Sequence, residues 1–167
     1  MNEKLIVWVL VGGPGSGKST WAKSLADGDP RIVRICPDDN RRAIGGDSNN
    51  QLVSNPAFCM AKDQMHNALG NGKSVIYDAT NMYRKARKDF INIARGHGAI
   101  VIAIVFECSK ATLLQRVAKR AAEGGRNISE KIIDDMLARY HRPEVPEFDK
   151  VIFESNTPKI WTSHVLI

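Results

Sequence analysis

Short apolar runs alternate with amphipathic stretches along the chain. Runs rich in apolar side chains, typical of strands buried in a parallel sheet, predict strands at residues 6–11, 31–36, 74–77, 100–106 and 151–153. Helical spacing of apolar residues predicts helices at about 18–26, 57–69, 84–97, 111–122 and 128–140, with a short helix from Asp38 or Asp39 to about 45. This alternation predicts an α/β three-layer fold with a mainly parallel sheet.

The remaining segments are predicted to connect these elements. Residues 45–56 have almost no apolar content and are predicted to form a loop, and 123–127 form a glycine-bearing break. In the helix at 57–69, we expect Phe58, Met65 and Leu69 to share one stripe. Residues 160–167 are predicted to be a terminal strand or an extended tail. The whole chain, 1–167, is expected to be a single domain.

Composition narrows the classes of protein without naming a function. No apolar run approaches the roughly 18 residues that cross a bilayer, and the N-terminal apolar run lacks the flanks of a signal peptide. The cysteines, Cys36, Cys59 and Cys108, are widely spaced, which predicts reduced thiols and a cytoplasmic location. The histidines lack metal-ligand spacing, so we expect no zinc site. Because no apolar run is long enough to cross a bilayer, we also expect no membrane partner.

A glycine-rich stretch between the first strand and the first helix carries the strongest chemical signal. Residues 12–19, GGPGSGKS, satisfy the G-x-x-x-x-G-K-[ST] pattern of a P-loop in full. Its glycines let backbone N–H groups surround phosphates at a helix N-terminus, while Lys18 reaches the β- and γ-phosphates and the Ser19 hydroxyl ligates magnesium. The predicted nucleotide-binding residues here are Gly13, Pro14, Gly15, Ser16, Gly17, Lys18, Ser19 and Thr20. The pattern predicts binding of ATP, or another nucleoside triphosphate, with Mg²⁺.

A second motif, PDDNRR at 37–42, follows the second strand, at the sheet edge where open α/β folds bind ligands. A carboxylate there can accept a proton from an attacking hydroxyl or orient it. Asp38 and Arg41 share a face if this segment is helical, so that one holds the nucleophile and the other a neighbouring phosphate. Either aspartate could instead cap a helix. We favour the functional interpretation for Asp38 and capping for Asp39.

A third motif, YDATN at 77–81, ends the third strand. Asp78 could bind magnesium through water or pair with an arginine on the acceptor side. Asn81 could shape the turn or donate a hydrogen bond to the acceptor. Both are predicted to bind substrate.

The helix at 111–122 carries a pair of arginines at i and i+4, Arg116 and Arg120. Their position before the glycine-bearing break predicts a lid over the triphosphate at about 113–130, where arginines would stabilise charge in the transition state. A solvated basic face is the alternative. Arg126, next to the glycines, competes with Arg120 for its role. We predict Lys18, Asp38 and Arg120 to be catalytic, and Arg116, Arg120 and Arg126 to bind the donor.

The net charge of +6 is unevenly distributed. Residues 84–126 contain ten Lys or Arg and three acidic residues, a net charge of +7, so the rest of the chain nets −1. Such a stretch attracts phosphate-rich ligands, although it could also be a solvated basic face.

Together the motifs GGPGSGKST, PDDNRR, YDATN and LLQRVAKR resemble the polynucleotide 5′-kinase family, which includes the phage end-repair kinase and the kinase modules of bacterial RNA-repair enzymes. The resemblance spans roughly residues 6–140. It implies an adenylate-kinase-like P-loop fold with strand order 2-3-1-4-5. It also implies that Asp38 is the general base on a 5′-hydroxyl and that Arg41 contacts the adjacent phosphate. Asp78 would then support the acceptor site, and Arg116 and Arg120 would engage the donor phosphates.

The sequence therefore favours ATP-dependent phosphorylation of a 5′-hydroxyl end of DNA or RNA. Relatives acting on sugars, gluconate, nucleosides or nucleotides share parts of these motifs, so a small-molecule kinase is the alternative. A slow nucleotide-dependent switch or toxin-like module is disfavoured, since a switch needs no base for an acceptor hydroxyl.

Asn156 and Thr157, which follow the last core strand, either border the adenine or form a plain turn.

Overall fold

The computed structural model describes residues 4–47 and 50–154. The strands are β1 Ile6–Val11, β2 Ile32–Ile35, β3 Ser74–Tyr77, β4 Ile100–Phe106 and β5 Lys150–Glu154. The helices are α1 Lys18–Gly28, α2 Pro37–Gly45, α3 Ser54–Gly70, α4 Arg84–Gly96, α5 Lys110–Ala122 and α6 Glu130–Ala138. The predictions for Asn156, Thr157 and the C-terminal strand lie outside the described residues. Within the described ranges, no helix is long and apolar enough to span a bilayer.

The strands form one parallel sheet in the order β2-β3-β1-β4-β5. In the centre, β1 pairs with β3 and β4, with Val7 opposite Val75 on one side and Val101 on the other. This confirms the predicted strand order. Because all the strands are parallel, their carboxyl ends meet at one edge, where the P-loop follows β1, α2 follows β2 and Asp78 follows β3.

Alternate residues of β1 pack into separate cores on the two faces of the sheet. Val7, Val9 and Val11 belong to the core beneath α3 and α4. Trp8 and Leu10 belong to the core beneath α1. The sheet is therefore buried on both faces, as its apolar strands predict.

The predicted loop at 45–56 is wrong over its second half. A 3₁₀ turn occupies Gln51–Val53 and α3 already begins at Ser54. The Asn50 carboxamide supports this turn by accepting a hydrogen bond from the Leu52 N–H at 3.1 Å. Pro56 lies in the first turn of α3, where a missing N–H costs nothing, so it starts the helix instead of ending a loop.

Helices α5 and α6 and the turn between them form a helical hairpin, residues 110–138, that we call the lid. Its apolar side chains build a third, small cluster of Leu113, Val117, Ile128 and Ile133, separate from both sheet cores. Lys110, at the start of α5, pairs with Glu130 at 2.8 Å and with Asp134 at 2.6 Å on α6. These contacts hold the two helices side by side. The predicted lid at 113–130 corresponds to α5 and the turn.

Candidate active site

The P-loop joins β1 to α1 in a conformation that depends on its glycines. Gly15 and Gly17 have φ angles of 81° and 98°, which side chains with a Cβ rarely adopt. At Gly12 a Cβ would lie 2.8 Å from the carbonyl oxygen of Phe106. The loop ends at Gly17, the N-cap of α1, where the N–H groups of the first helical turn have no partner within the helix. This is the geometry of an anion site at a helix N-terminus.

Lys18 lies beneath this loop, and its side chain is turned back onto it. Its Nζ donates to the Gly13 carbonyl at 2.7 Å and to the Ser16 hydroxyl at 3.2 Å. Burial lowers the pKa of Lys18 to about 8; the nearby Asp78 carboxylate opposes this shift, and Arg120 adds to it. A phosphate bound in the loop would favour the charged form of Lys18, which burial disfavours.

A cavity of about 450 Å³ opens at the carboxyl edge of the sheet, in front of the P-loop. It brings together most of the residues predicted from sequence: Pro14, Gly15, Gly17, Lys18, Ser19, Thr20, Asp38, Arg41, Asp78, Arg116, Arg120 and Arg126. Five side chains in this set are basic and two are acidic. The cavity is therefore suited to a polyanion such as a triphosphate.

Asp78 is held between the P-loop helix and β2. The Ser19 hydroxyl donates to its Oδ1 at 3.2 Å, and Arg34 binds its Oδ2 through Nε at 2.8 Å and Nη2 at 2.6 Å. Of the alternatives for Asp78, pairing with an arginine is present, but the partner is Arg34 on β2 and not Arg41. The sequence analysis missed Arg34, although a charged residue inside an otherwise apolar strand is a signal that it has a partner.

The pair formed by Ser19 and Asp78 fits a magnesium ion. A hydroxyl and a carboxylate oxygen are the hard donors that Mg²⁺ prefers, and this ion typically takes few protein ligands beside substrate phosphates and water. Among the residues that the structure describes, no group of three or more His, Cys, Asp or Glu side chains is arranged to hold a metal ion.

Asp38 and Arg41 share one face of α2, as the spacing predicts. Their side chains form an ion pair across one helical turn. Both residues line the cavity; the Asp38 side chain is about half exposed, whereas that of Arg41 is nearly buried. Burial lowers the pKa of Arg41, and the neighbouring charge of Arg126 lowers it further.

Asp39 is directed away from this cavity and pairs with Arg34 at 2.6 Å and with Arg42 at 3.6 Å. The two aspartates diverge because α2 already begins at Pro37, so that successive side chains are rotated by about 100°. The prediction that Asp39 caps the helix is wrong, because Cys36 is the N-cap of α2 and Asp39 already lies within its first turn.

The lid brings three arginines to the cavity from above. Arg116 donates to the Gly15 carbonyl of the P-loop at 3.2 Å. Arg126 approaches Asp38 to 3.9 Å, and Arg120 also lines the cavity. The structure therefore brings all three predicted lid arginines to the cavity.

Asn81 does not line the cavity, in contrast to its predicted contact with the acceptor. Its buried side-chain amide donates to the Leu10 carbonyl of β1 at 2.8 Å, and its backbone carbonyl accepts a hydrogen bond from Arg87 at 2.9 Å. The residue has a φ of 49°, a conformation that asparagine tolerates better than most residues. The geometry thus corresponds to the other alternative, in which Asn81 shapes the turn after β3.

Phe58 also departs from its predicted place. Met65 and Leu69 are buried in the core, but the Phe58 side chain is 38% exposed and faces the cavity. The prediction failed because the buried stripe of α3 passes through Ala57 and Ala61, which leaves Phe58 beside it. Ile128 and Met136 of the lid line the same cavity and were not predicted to do so.

Comparison with known proteins identifies the family. Residues 7–143 match the AAA_33 family, described as an AAA domain. The chain belongs to this family. The match spans the AAA_33 chain from β1 to the segment beyond α6 and includes each of the four sequence motifs.

Two curated relatives of this AAA_33 chain differ in their described roles. Transcription factor bHLH140 of Arabidopsis thaliana is 33% identical over 161 residues, which cover 91% of this chain and 16% of the plant protein. The L-seryl-tRNA(Sec) kinase of Methanococcus maripaludis is 28% identical over 141 residues, which cover 81% of this chain and 52% of the kinase. The chain thus spans about a sixth of the first relative and half of the second.

Solved structures give the same fold. A chain of the Pnkp1/Rnl/Hen1 RNA repair complex superposes with a TM-score of 0.74 at 28% identity, covering 83% of this chain and 45% of that one. A fungal RNA kinase gives 0.63 at 21% identity, covering 95% and 77%. A gluconokinase from Sinorhizobium meliloti 1021 gives 0.57 at 16% identity, covering 91% and 82%. With the P-loop in place, this AAA_33 chain has the fold and the nucleotide-binding loop of the P-loop kinases.

Proposed function

We propose that this kinase transfers the γ-phosphate of ATP to the 5′-hydroxyl end of a polynucleotide, in the presence of Mg²⁺. The observation that carries the proposal is the Asp38–Arg41 pair on α2, which faces the same cavity as Lys18 and Ser19 of the P-loop. A phosphotransferase needs a group beside the γ-phosphate to receive or orient the acceptor hydroxyl, and Asp38 is that group.

On the acceptor side, the 5′-hydroxyl donates its proton to the Asp38 carboxylate as its oxygen bonds to the γ-phosphorus of ATP. The bond from that phosphorus to the β,γ-bridging oxygen breaks at the same time, and ADP leaves with the electron pair. Arg41, one helical turn further on and nearly buried, binds the phosphate that follows the terminal nucleoside. A polynucleotide carries such a phosphate beside its terminal hydroxyl, whereas a free sugar does not. The buried cation on α2 therefore favours an acceptor that is already charged.

On the donor side, the backbone N–H groups of the P-loop and Lys18 bind the β- and γ-phosphates. Arg116, Arg120 and Arg126 neutralise the charge that spreads over the transferred group. Ser19 would hold the metal ion, with Asp78 fixing the Ser19 hydroxyl from behind. Mg²⁺ supplies charge neutralisation of the triphosphate.

The 28% identity to a chain of an RNA repair complex supports a nucleic-acid acceptor. One observation favours a smaller acceptor. Several residues of the basic stretch at 84–126 are paired within the fold: Arg84 with Glu144 at 2.7 Å, Arg87 with Glu147 at 2.8 Å, and Lys110 with α6. These cations do not form a free phosphate-binding surface. A sugar or nucleotide kinase is therefore the second candidate.

The proposal is tested by transfer of labelled γ-phosphate to a panel of acceptors. The panel contains 5′-hydroxyl RNA, 5′-hydroxyl DNA, nucleoside 3′-monophosphates, gluconate and common sugars. We expect efficient transfer to the oligonucleotides, with a KM that rises with salt concentration. The Lys18→Ala variant, which removes the cation from the phosphate site, is the inactive control. Transfer to a sugar or to gluconate, with none to an oligonucleotide, would overturn the proposal.

A further inference from the structure

The acceptor half of the cavity has an apolar wall that the phosphate chemistry does not use. Phe58 of α3, Ile128 of the lid turn and Met136 of α6 line the cavity together with Asp38 and Arg41. Phe58 is 38% exposed, a large fraction for a phenylalanine at the edge of a core. A charged triphosphate gains nothing from this wall.

Phe58 is held in a fixed position relative to the catalytic helix. The buried amide of Asn40, on α2 between Asp38 and Arg41, donates to the Ala57 carbonyl at 3.1 Å. Asn40 also exchanges hydrogen bonds with Gln64 of α3 at 3.0 and 3.2 Å. The residue preceding Phe58 is thereby tied to the helix that presents Asp38.

The lid contributes the other two residues of the wall. Ile128 is 8% exposed and packs into the apolar cluster of the lid, and Met136 lies one helical turn beyond the buried Ile133 on α6. An aromatic ring, a flexible thioether and a branched aliphatic side chain therefore line the same cavity. Such surfaces accept a flat, largely apolar group.

We infer that this wall binds the nucleobase of the 5′-terminal nucleoside, with the base stacked on Phe58. The inference rests on the proposed function and names the part of the acceptor that is recognised. An open-chain sugar acid such as gluconate carries a hydroxyl on nearly every carbon and offers no flat apolar group to this wall. A terminal nucleoside instead offers a base for the wall, a 5′-hydroxyl for Asp38 and a 3′-phosphate for Arg41. Base–aromatic stacking is sequence-tolerant, so all four bases are accepted.

Steady-state kinetics with two matched substrates tests the inference. One oligonucleotide carries an ordinary 5′-terminal nucleoside with a 5′-hydroxyl, and the other carries an abasic residue in its place. For the wild-type enzyme, we expect the abasic end to raise the acceptor KM by about 5- to 150-fold, the factor that corresponds to loss of one stacked base. This comparison needs no variant and so does not depend on folding.

The Phe58→Ala variant should raise the KM of the ordinary end by a similar factor and should leave the KM of the abasic end and of ATP unchanged. Phe58→Tyr should retain wild-type values. Met60→Ala is the matched control, because Met60 is exposed to the same degree on the same helix and does not line the cavity.

The possible failures are distinguishable. If the enzyme phosphorylates ordinary and abasic ends equally well, the inference is wrong and the proposed function stands. If it phosphorylates nucleosides but no oligonucleotide, the proposed function is wrong and the base site stands. A Phe58→Ala effect confined to the KM of ATP would assign the wall to the adenine of the donor and overturn the inference.

Discussion

Asp38 and Asp39 are adjacent in sequence and have different surroundings. Asp38 faces the cavity and pairs with Arg41, whereas Asp39 pairs with Arg34 outside the cavity. The difference arises because successive side chains of an α-helix are rotated by about 100° around its axis. The chemistry of the motif therefore depends on the register in which this helix begins.

The Asp38→Asn substitution should lower kcat by roughly 10²–10⁴-fold and leave the affinity for ATP unchanged, because an amide cannot take the hydroxyl proton. The matched Asp39→Asn substitution should change kcat by less than about tenfold, since it weakens only an exposed ion pair. Steady-state kinetics on the same acceptor checks both. Equal losses in the two variants would show that the functional register is shifted by one residue.

Cys36, the N-cap of α2, lines the cavity and is 8% exposed. Burial raises the pKa of its thiol to about 11, and the charge of Asp78 adds to the shift. Since only the thiolate reacts, alkylation of Cys36 should be slow at pH 7 and should accelerate about tenfold per pH unit until roughly pH 11. Mass spectrometry after timed iodoacetamide treatment measures this rate.

Cys59, which is exposed on α3, provides the internal control in the same experiment. ATP should protect Cys36 and leave the labelling of Cys59 unchanged. Labelling of Cys36 at neutral pH as fast as Cys59, or a plateau below pH 9, would contradict the assigned environment.

Two of the predicted groupings that the structure brings to the cavity involve residues close in sequence. The P-loop is a local backbone shape with its own residue pattern, and Asp38 and Arg41 meet across one helical turn. Arg34 and Asp78 meet only because β2 and β3 are neighbours in the sheet, which a reading of one strand at a time does not reveal. Phe58 was misplaced because its spacing fits a buried stripe, whereas the stripe that packs on the sheet runs through its neighbour Ala57.

At the scale of elements, the lid turn is shaped by a glycine. A Cβ on Gly125 would lie 2.6 Å from Cγ of Arg120 and 2.8 Å from the carbonyl oxygen of the same residue. The second contact is with backbone, so the turn cannot yield by a side-chain rotation alone. The positions of the lid arginines next to this turn therefore depend on the absence of a side chain at Gly125.

The Gly125→Ala substitution should move the turn and displace Arg120 and Arg126. We expect kcat/KM for ATP to fall by about 10- to 100-fold with little change in the free energy of unfolding, since the transition-state charge loses part of its cationic surroundings. Gly96→Ala is the control, because nothing lies within 4 Å of a Cβ at the end of α4. Unchanged kinetics for Gly125→Ala would contradict a role of the lid arginines in catalysis.

Helix and strand interiors followed from apolar periodicity, but two element boundaries did not. α3 starts before its first core residue because Pro56 and the Asn50 turn favour a helical start. α6 is shorter than the predicted 128–140, since Ile128 packs under the turn before the helix begins. Boundaries depend on caps and packing against neighbouring elements, which periodicity does not encode.

Over the whole molecule, part of the basic stretch serves the fold. Arg87 is fully buried, binds both oxygens of Glu147 at 2.8–2.9 Å, and donates to the carbonyls of Asn81 and His141. It joins α4, the turn after β3 and the segment that leads to β5. Net charge along the sequence therefore overstates the charge available to a ligand.

The Arg87→Met substitution should lower the free energy of unfolding by about 3–5 kcal/mol, because it leaves Glu147 and two carbonyls without their buried donor. Arg84→Met, which removes a half-exposed partner of Glu144, should cost less than about 1 kcal/mol. Urea denaturation compares the two. Similar values for both would mean that the buried arginine contributes no more than a surface pair.

The separation of the lid cluster from the sheet cores has a consequence for how the enzyme responds to heat. The lid rests on the few apolar contacts around Leu113, Val117, Ile128 and Ile133, while the sheet is packed on both faces. Small clusters open at lower free-energy cost than large ones. On warming, we therefore expect the hairpin to open before the sheet unfolds, so that the lid arginines leave the cavity first. Saturating ATP should raise the temperature of this opening, because a ligand that contacts the lid stabilises it by mass action.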